Sequence, residues 1–291
     1  MLNSVAIFSK DNTSKTRAGV GRLTDELNLR GVKIFMQKRS NDFHSSPDAP
    51  IEYFQDLEGL GTKPDFVFSV GGDGTFLETI IKVKDSGIPI AGINTGRMGF
   101  LANIYADEIG KSLDMLSHNE YDIIERCLLK LERPSNLFEG NNSLALNEIT
   151  IQKSDLSMIT ISVYVNEAYL NTYWSDGLII STATGSTAYN LSAGGPILTP
   201  EDESIIISPI APHNLTIRPI VISGESKLKM IVEGRSLEYM ATVDFRSRKV
   251  PFGEEVHIVR SHEKIKTVMM RSRDFYSTLR NKLMWGADSR N

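Results

Sequence analysis

The stretch Ser69-Val70-Gly71-Gly72-Asp73-Gly74-Thr75-Phe76-Leu77 combines three glycines with a single carboxylate, between an apolar run at 66–70 and an amphipathic run that begins at Phe76. An apolar strand that stops at glycines and restarts with helical spacing is the strand-to-helix corner of an α/β unit, where backbone N–H groups point outward from a helix N-terminus. Glycines let a polyphosphate approach the main chain. Asp73 is the odd residue, because phosphate repels a carboxylate unless that carboxylate holds a metal, a sugar hydroxyl or a proton. The other reading is plain turn geometry, since Asp-Gly is a common turn pair. No Gly-x4-Gly-Lys-Ser/Thr occurs, and the third glycine of the dinucleotide fingerprint is missing, so a Walker-type nucleotidase and a standard Rossmann dehydrogenase both lose ground.

The elements that must position this turn alternate. Residues 5–8 read as a buried strand, 14–30 as a helix with Val20, Leu23 and Leu27 at helical spacing, and 32–36 as a strand. Residues 37–50, rich in Ser, Asn, Asp and Pro, read as a surface loop. Then come a strand at 65–70, a helix at 76–84, a strand at 88–94 and a helix at 107–117. This alternation predicts a parallel sheet with covering helices. Thr95-Gly96-Arg97-Met98-Gly99-Phe100-Leu101 is a second glycine-bearing loop at a strand's carboxyl end, the edge where ligands collect in open α/β sheets.

Near residue 120 the pattern changes to short runs with period two. Strands are expected at 121–131, 145–152, 158–165, 178–181, 204–210, 215–222, 227–232, 237–243 and 256–259, and their spacing predicts an all-β sandwich. The expected domains are an α/β domain over 1–120 and a β-sandwich over 121–270. A C-terminal helix and tail over 271–291, with the helix at 274–285, then return to the first domain.

Composition narrows the class. The chain has 291 residues, 41% of them apolar, enough for two domains with a buried core. Cys127 is the only cysteine, which excludes an intrachain disulfide and a four-cysteine zinc site and fits a reducing, cytoplasmic setting. The five histidines are scattered without His-x3-His pairing, so no protein-borne metal site is expected. A net charge of −4 argues against a general nucleic-acid binder. No apolar segment approaches the roughly 20 residues that span a bilayer, and residues 1–8 carry no basic region ahead of their short apolar run, as a first strand would and a signal peptide would not.

In the β-rich half, residues 175–196 break the alternation as a strand, a hydroxyl-rich turn, a short helix and a glycine exit. Ser and Thr before a helix are ordinary caps; alternatively, so many small donors at a helix N-terminus build a cradle for sugar or pyrophosphate oxygens. Asp176-Gly177 also reads as a hairpin turn, and Asn147-Glu148 as the end of a turn.

Together these pieces resemble the bacterial NAD kinase family in order and spacing. The resemblance rests on Gly71-Gly72-Asp73-Gly74-Thr75, Asn147-Glu148, Ser175-Asp176-Gly177 and Thr184-Gly185-Ser186-Thr187-Ala188-Tyr189, followed by Gly194-Gly195-Pro196-Ile197-Leu198. It runs from about residue 65 to 219. The first turn alone is shared with diacylglycerol-type lipid kinases and, more loosely, phosphofructokinases; the other motifs are more selective.

The resemblance implies a Rossmann-like α/β domain, a β-sandwich domain, a site between them and a homodimer or homotetramer. It implies transfer of the γ-phosphoryl group of ATP to the 2′-hydroxyl of the adenosine ribose of NAD, giving NADP and ADP. Asp73 would be the proton acceptor and would also touch NAD. Gly71, Gly72, Gly74 and Thr75 would meet the donor phosphates, and Gly74 also NAD, with Mg²⁺ held mainly by those phosphates. Asn147 and Glu148 would hold the adenine and ribose region, and Asp176 the nicotinamide half. Thr187, Ala188, Tyr189, Asn190, Leu191 and Ser192 would line the dinucleotide pocket, with Ala211 as a small lining residue. Two positions depart from the family: Trp174 stands where many relatives carry Arg, exchanging a charge contact for stacking, and Arg246 stands where some carry Gln. Arg246 would contact a phosphate or face solvent.

Two rival readings keep part of this evidence. A lipid kinase would share the first turn but show a membrane-facing basic or apolar surface and lack the 187–192 cradle. A non-catalytic dinucleotide sensor would keep the cradle and lose the acid, and Asp73 is present.

Overall fold

The computed structural model describes residues 2–10, 13–37, 50–83, 86–96, 99–138 and 143–284, and divides into two compact units, 1–125 with 265–291 and 126–264. The expected surface loop at 37–50 lies almost wholly outside the described residues, as do Arg97 and Met98 of the second glycine loop and Trp285.

The first unit is α/β. Its elements run β1 (Ser4–Ser9), α1 (Ser14–Leu29), β2 (Lys33–Gln37), β3 (Ile51–Phe54), β4 (Phe66–Gly71), α2 (Asp73–Val83), β5 (Ile90–Asn94), β6 (Ile104–Tyr105) and α3 (Ile109–Ser117), and into the start of β7 (Tyr121–Arg133). The ladders among its first five strands are parallel, in the order β3-β2-β1-β4-β5, with Val5 opposite Phe66 and Val67 opposite Ile90. Helices cover such a sheet on both faces, which is why β1 and β4 read as unbroken apolar runs rather than alternating ones. Leu23 and Leu27 of α1 and Leu113 and Leu116 of α3 pack with Ile7, Ile34 and Phe68 in one core. From β1 the chain steps outward to β2 and β3, then returns across β1 to β4 and β5. The carboxyl ends of β1 and β4 therefore flank a topological switch point, where a crevice opens in such sheets. The glycine turn is the exit of β4.

The second unit is a sandwich of two antiparallel sheets. It contains β8 (Leu144–Ala145), β9 (Glu148–Lys153), β10 (Ile159–Val165), β11 (Ala168–Ser175), β12 (Gly177–Ser181), a short helix α4 (Tyr189–Ser192), β13 (Ile205–Ile210), β14 (Ile220–Ile222), β15 (Leu228–Glu233), β16 (Glu238–Val243) and β17 (Arg246–Pro251). A long strand, β18 (Glu255–Met270), then leads out to α5 (Phe275–Leu283). One sheet has the order β14-β13-β12-β9-β16-β17; in the other, β11, β10, β15 and the start of β18 are neighbours. Alternate residues of β10 and β15 point inward, and Ile161, Val163, Met230 and Val232 meet Ile149, Ile151, Leu178 and Ile180 of the opposing sheet.

The helix α5 belongs to the first unit. A reciprocal capping box of Asp274 and Ser277 starts it, Leu279 is buried, and the Phe275 ring lies 6.4 Å from that of Phe100.

Several element expectations need correcting. Four strands were not expected, β3, β6, β11 and β17; β6 has only two residues, β17 turns mostly polar or charged residues to solvent, and β11 exposes Tyr169 and Trp174, so none of these three shows a clear period of two. The expected strand at 215–222 shortens to β14, because the Asn214 side chain accepts from the Thr216 N–H and bends the chain first. β18 extends far beyond 256–259. The helix expected from Phe76 starts at Asp73, so the glycine turn is itself the first helical turn.

Candidate functional site

In the first unit, the turn is built so that Asp73 is held and two glycines stay open. Gly71 has φ +157°, and a Cβ there would lie 2.2 Å from Thr75 Oγ1, so local packing demands that glycine. A Cβ at Gly72 or Gly74 would meet nothing within 4 Å. Those two glycines leave main chain bare on an open face. Thr75 and Phe76 both donate their N–H to the Gly72 carbonyl, which closes the first turn of α2.

Asp73 does not point at its own helix terminus. Its carboxylate reaches into the second glycine loop, where Oδ2 accepts the Phe100 N–H at 2.9 Å and Oδ1 accepts those of Leu101 and Ala102, both at 3.1 Å. A carboxylate offers about four acceptor positions. Three are taken by backbone, and the remaining one is on Oδ2. Lys282 Nζ of α5 lies 3.8 Å from that oxygen. Asn94, opposite Gly71 in the β4/β5 ladder, gives its Oδ1 to the Gly96 N–H, and its buried Nδ2 has no partner.

The second unit gathers another set of the expected residues around β12. Ser181 pairs with Glu148 and Gly177 with Gln152, so Asn147-Glu148 and Asp176 stand near opposite ends of one strand. Four residue steps separate those ends, roughly 13 Å. The hydroxyl-rich turn packs directly on Asn147: Ser181 Oγ and the Thr182 N–H donate to its carbonyl, and a Cβ at Gly185 would lie 2.0 Å from that oxygen.

Many hydroxyls in this turn are braces. Thr182 Oγ1 donates to the Leu146 carbonyl and accepts the Gly185 N–H, Thr184 Oγ1 accepts from Arg126, and Ser186 Oγ bonds both N–H and C=O of Leu198. Asn190 is fully buried, with Nδ2 on the Ser186 and Pro196 carbonyls and Oδ1 accepting from Ser208. Its neighbours differ. Tyr189 and Ser192 are exposed, Thr187, Ala188 and Leu191 are half-buried, and Tyr189 Oη lies 3.1 Å from Gln152 Nε2.

At the far end of β12, Asp176 pairs with Lys153 at 2.7 Å and its N–H bonds the Ile210 carbonyl. Ala211 follows in the left-handed region at φ +44° and is exposed. Trp174 is 54% exposed, and its carbonyl accepts the His213 N–H.

The residue that sequence reasoning missed here is Asp244, in the turn between β16 and β17. Its carboxylate accepts the N–H groups of Leu146, Asn147 and Glu148 at 3.0, 2.8 and 3.3 Å, and its own N–H donates to the Glu148 carbonyl. Arg246 neither faces solvent nor stands open: its Nη2 donates to the Leu144 carbonyl and lies 3.6 Å from Asp244 Oδ2. Burial pushes the Asp244 carboxyl up, with the three backbone N–H groups and Arg246 pulling against it. Burial, then the nearby Asp244, pushes the Glu148 carboxyl up to about 8, while the Tyr189 N–H opposes that rise. Glu148 thus carries a proton near neutrality, and its Oε2 is buried without a partner. An Asp-x-Arg turn leading into the unrecognised strand β17 was the available signal.

Two clefts, of about 730 Å³ beside Arg133, Leu137 and Glu254 and about 630 Å³ beside Asn28, Lys33 and Glu52, contain none of these residues.

The profile of the ATP-NAD kinase N-terminal domain matches residues 6–121, and that of the C-terminal domain matches 146–270. The chain belongs to the ATP-NAD kinase family. Membership makes it an enzyme of the NAD kinase class, a phosphotransferase that uses ATP to phosphorylate NAD. Among its relatives are NAD kinases of Flavobacterium psychrophilum, 40% identical over 99% of both chains, and of Bacteroides fragilis, 46% identical over 98% of this chain and 99% of the relative. A solved NAD kinase from Archaeoglobus fulgidus in complex with ATP is 27% identical, with a TM-score of 0.74 over 97% of this chain and 98% of that one. Yeast NADH kinase complexed with NADH shares the fold, with a TM-score of 0.83 over 99% of this chain and 89% of that one at 22% identity.

Proposed function

We propose that Asp73 is the residue that aims the nucleophile in transfer of the γ-phosphoryl group of ATP to the 2′-hydroxyl of the adenosine ribose of NAD, giving NADP and ADP. The observation that carries this is the Asp73 carboxylate itself, held by three backbone N–H groups with one acceptor position left on Oδ2. A hydroxyl donating there is fixed in direction. Phosphoryl transfer is loose, so aiming the oxygen matters more than removing its proton early. The ribose oxygen–phosphorus bond forms as the bond to the ADP oxygen breaks, and the hydroxyl proton passes late to Asp73 and then to solvent.

Gly71, Gly72, Gly74 and Thr75 meet the ATP phosphates; the open faces of Gly72 and Gly74 and the N-terminus of α2 support this. Mg²⁺ enters bound to ATP. Among the described residues no group of three or more His, Cys, Asp or Glu is placed to cage a metal, and a cation carried by phosphates needs no such cage.

Asn147 and Glu148 hold the adenine and ribose region, and Asp176 the nicotinamide half, a division supported by their places near the two ends of β12. Thr187, Ala188, Tyr189, Leu191, Ser192 and Ala211 line the dinucleotide pocket. Asn190 serves it as the brace of the 186–196 turn.

The enzyme works in the cytoplasm as a homodimer or homotetramer. In support, no described helix is long and apolar enough to cross a membrane, and edge strand β14 exposes Ile220 and Val221.

The test is NADP formation from NAD, ATP and Mg²⁺, beside reactions with NADH and with diacylglycerol. Asp73→Asn is expected to keep NAD binding while turnover falls by about a hundredfold or more. Near-normal turnover in that variant removes Asp73 from the mechanism, and a phosphorylated lipid without NADP defeats the whole reading.

A further inference from the structure

Phosphoryl transfer moves a group whose negative charge is spread over its three equatorial oxygens while charge builds on the leaving oxygen, and kinases meet it with full positive charges as well as backbone dipoles. The glycine turn of this chain carries no cation. Residues 69–77 contain no Lys or Arg, and Lys82 lies in the last turn of α2, away from the N-terminal end. A cation does reach the turn from the far end of the sequence. Lys282, in the last turn of α5, places Nζ 3.8 Å from Asp73 Oδ2 and 4.2 Å from the centroid of the Phe100 ring, while the Phe100 N–H bonds the same Oδ2. The helix that delivers it is anchored by its capping box, by buried Leu279 and by Phe275 against Phe100.

We propose that Lys282 binds the terminal phosphate oxygens of the donor nucleotide at the 71–75 turn. This rests on the reading of that turn as the ATP-phosphate site. The contact with Asp73 is longer than a hydrogen bond, and both side chains are 32% exposed, so as an ion pair it holds little of the fold together. What it does is keep an ammonium beside the single unbonded acceptor position of Asp73. The nucleophilic hydroxyl and the phosphoryl group must meet there. The ring of Phe100 under the ammonium keeps it in place by cation–π attraction without using its three N–H donors.

The test compares Lys282→Met and Lys282→Arg with the wild type in steady-state assays of NADP formation. Lys282→Met is expected to raise KM for ATP about tenfold or more, leaving KM for NAD within about twofold, and Lys282→Arg is expected to restore most of the loss, as for a phosphate contact by charge. A wild type that makes no NADP defeats the reading of the turn. An active wild type matched by Lys282→Met, or equal rises in both KM values, overturns the role of Lys282 alone. Acetic anhydride labelling of the unmutated chain serves if Lys282→Met does not fold. MgATP is expected to slow acetylation of Lys282 while NAD leaves it unchanged, and protection by neither, or by NAD only, overturns the proposal.

Discussion

Gly99 stands directly against Asp73: a methyl group at Gly99 would lie 1.8 Å from Asp73 Oδ1 and 2.4 Å from its carboxyl carbon. The second glycine loop thus holds the carboxylate with three amides and leaves it room by omitting one side chain. Gly99→Ala is expected to push Asp73 off those amides. Turnover should fall by about tenfold to a hundredfold, as misplacement of a group by about an ångström does, with the circular dichroism spectrum unchanged. Full activity in Gly99→Ala would mean that the held position of Asp73 is not the working one.

Asp244 ties three consecutive amides that precede and open β9. Asp244→Ala leaves those donors without their acceptor, each at about 1–3 kcal/mol when buried. Urea unfolding should show a loss of about 3 kcal/mol or more. In whatever fraction stays folded, KM for NAD should rise more than KM for ATP, because Asn147 and Glu148 are the groups displaced. An unchanged urea midpoint would show that the three bonds do not form in solution.

Glu148 keeps its proton to about pH 8 in the folded chain, because burial and then Asp244 disfavour its anion, against an ordinary value of 4.5. Between about pH 4.5 and 8 the unfolded chain has released that proton and the folded chain has not. Stability from this group is therefore complete below the lower value and is lost as pH rises through the upper one. The slope is at most about 1.4 kcal/mol per pH unit. Glu148→Gln, which cannot titrate, should flatten the fall in unfolding free energy across that window. Parallel curves for the two proteins would place the proton elsewhere.

Asn190 should separate bracing from ligand contact. Its side chain makes three hydrogen bonds with no exposure, each worth about 1 kcal/mol net. Asn190→Ala should lose about 3 kcal/mol in urea unfolding and loosen the 186–196 turn. Tyr189→Phe, at an exposed neighbour, should leave stability within about 0.5 kcal/mol. Equal stability losses at the two positions would contradict the division between brace and lining.

By itself, the sequence determined the two architectures and the turns that matter. Unbroken apolar runs at β1 and β4 and helical spacing at Val20, Leu23 and Leu27 announce a helix-covered parallel sheet, because period and burial are written in neighbouring residues. Alternation at β10 and β15 announces the sandwich in the same way. The glycine turn, the Asn-Glu pair and the hydroxyl-rich turn were legible because a tight turn or a close approach admits few residue types. Tertiary structure alone decided what those turns touch. Asp73 turns away from its own helix to the Phe100, Leu101 and Ala102 amides, Asp244 crosses to Leu146, Asn147 and Glu148, and Lys282 comes back to Asp73 from the end of the chain. None of these pairings leaves a local period. A side-chain hydrogen bond between distant segments depends on where the sheet brings their ends, and that depends on the packing of the whole core.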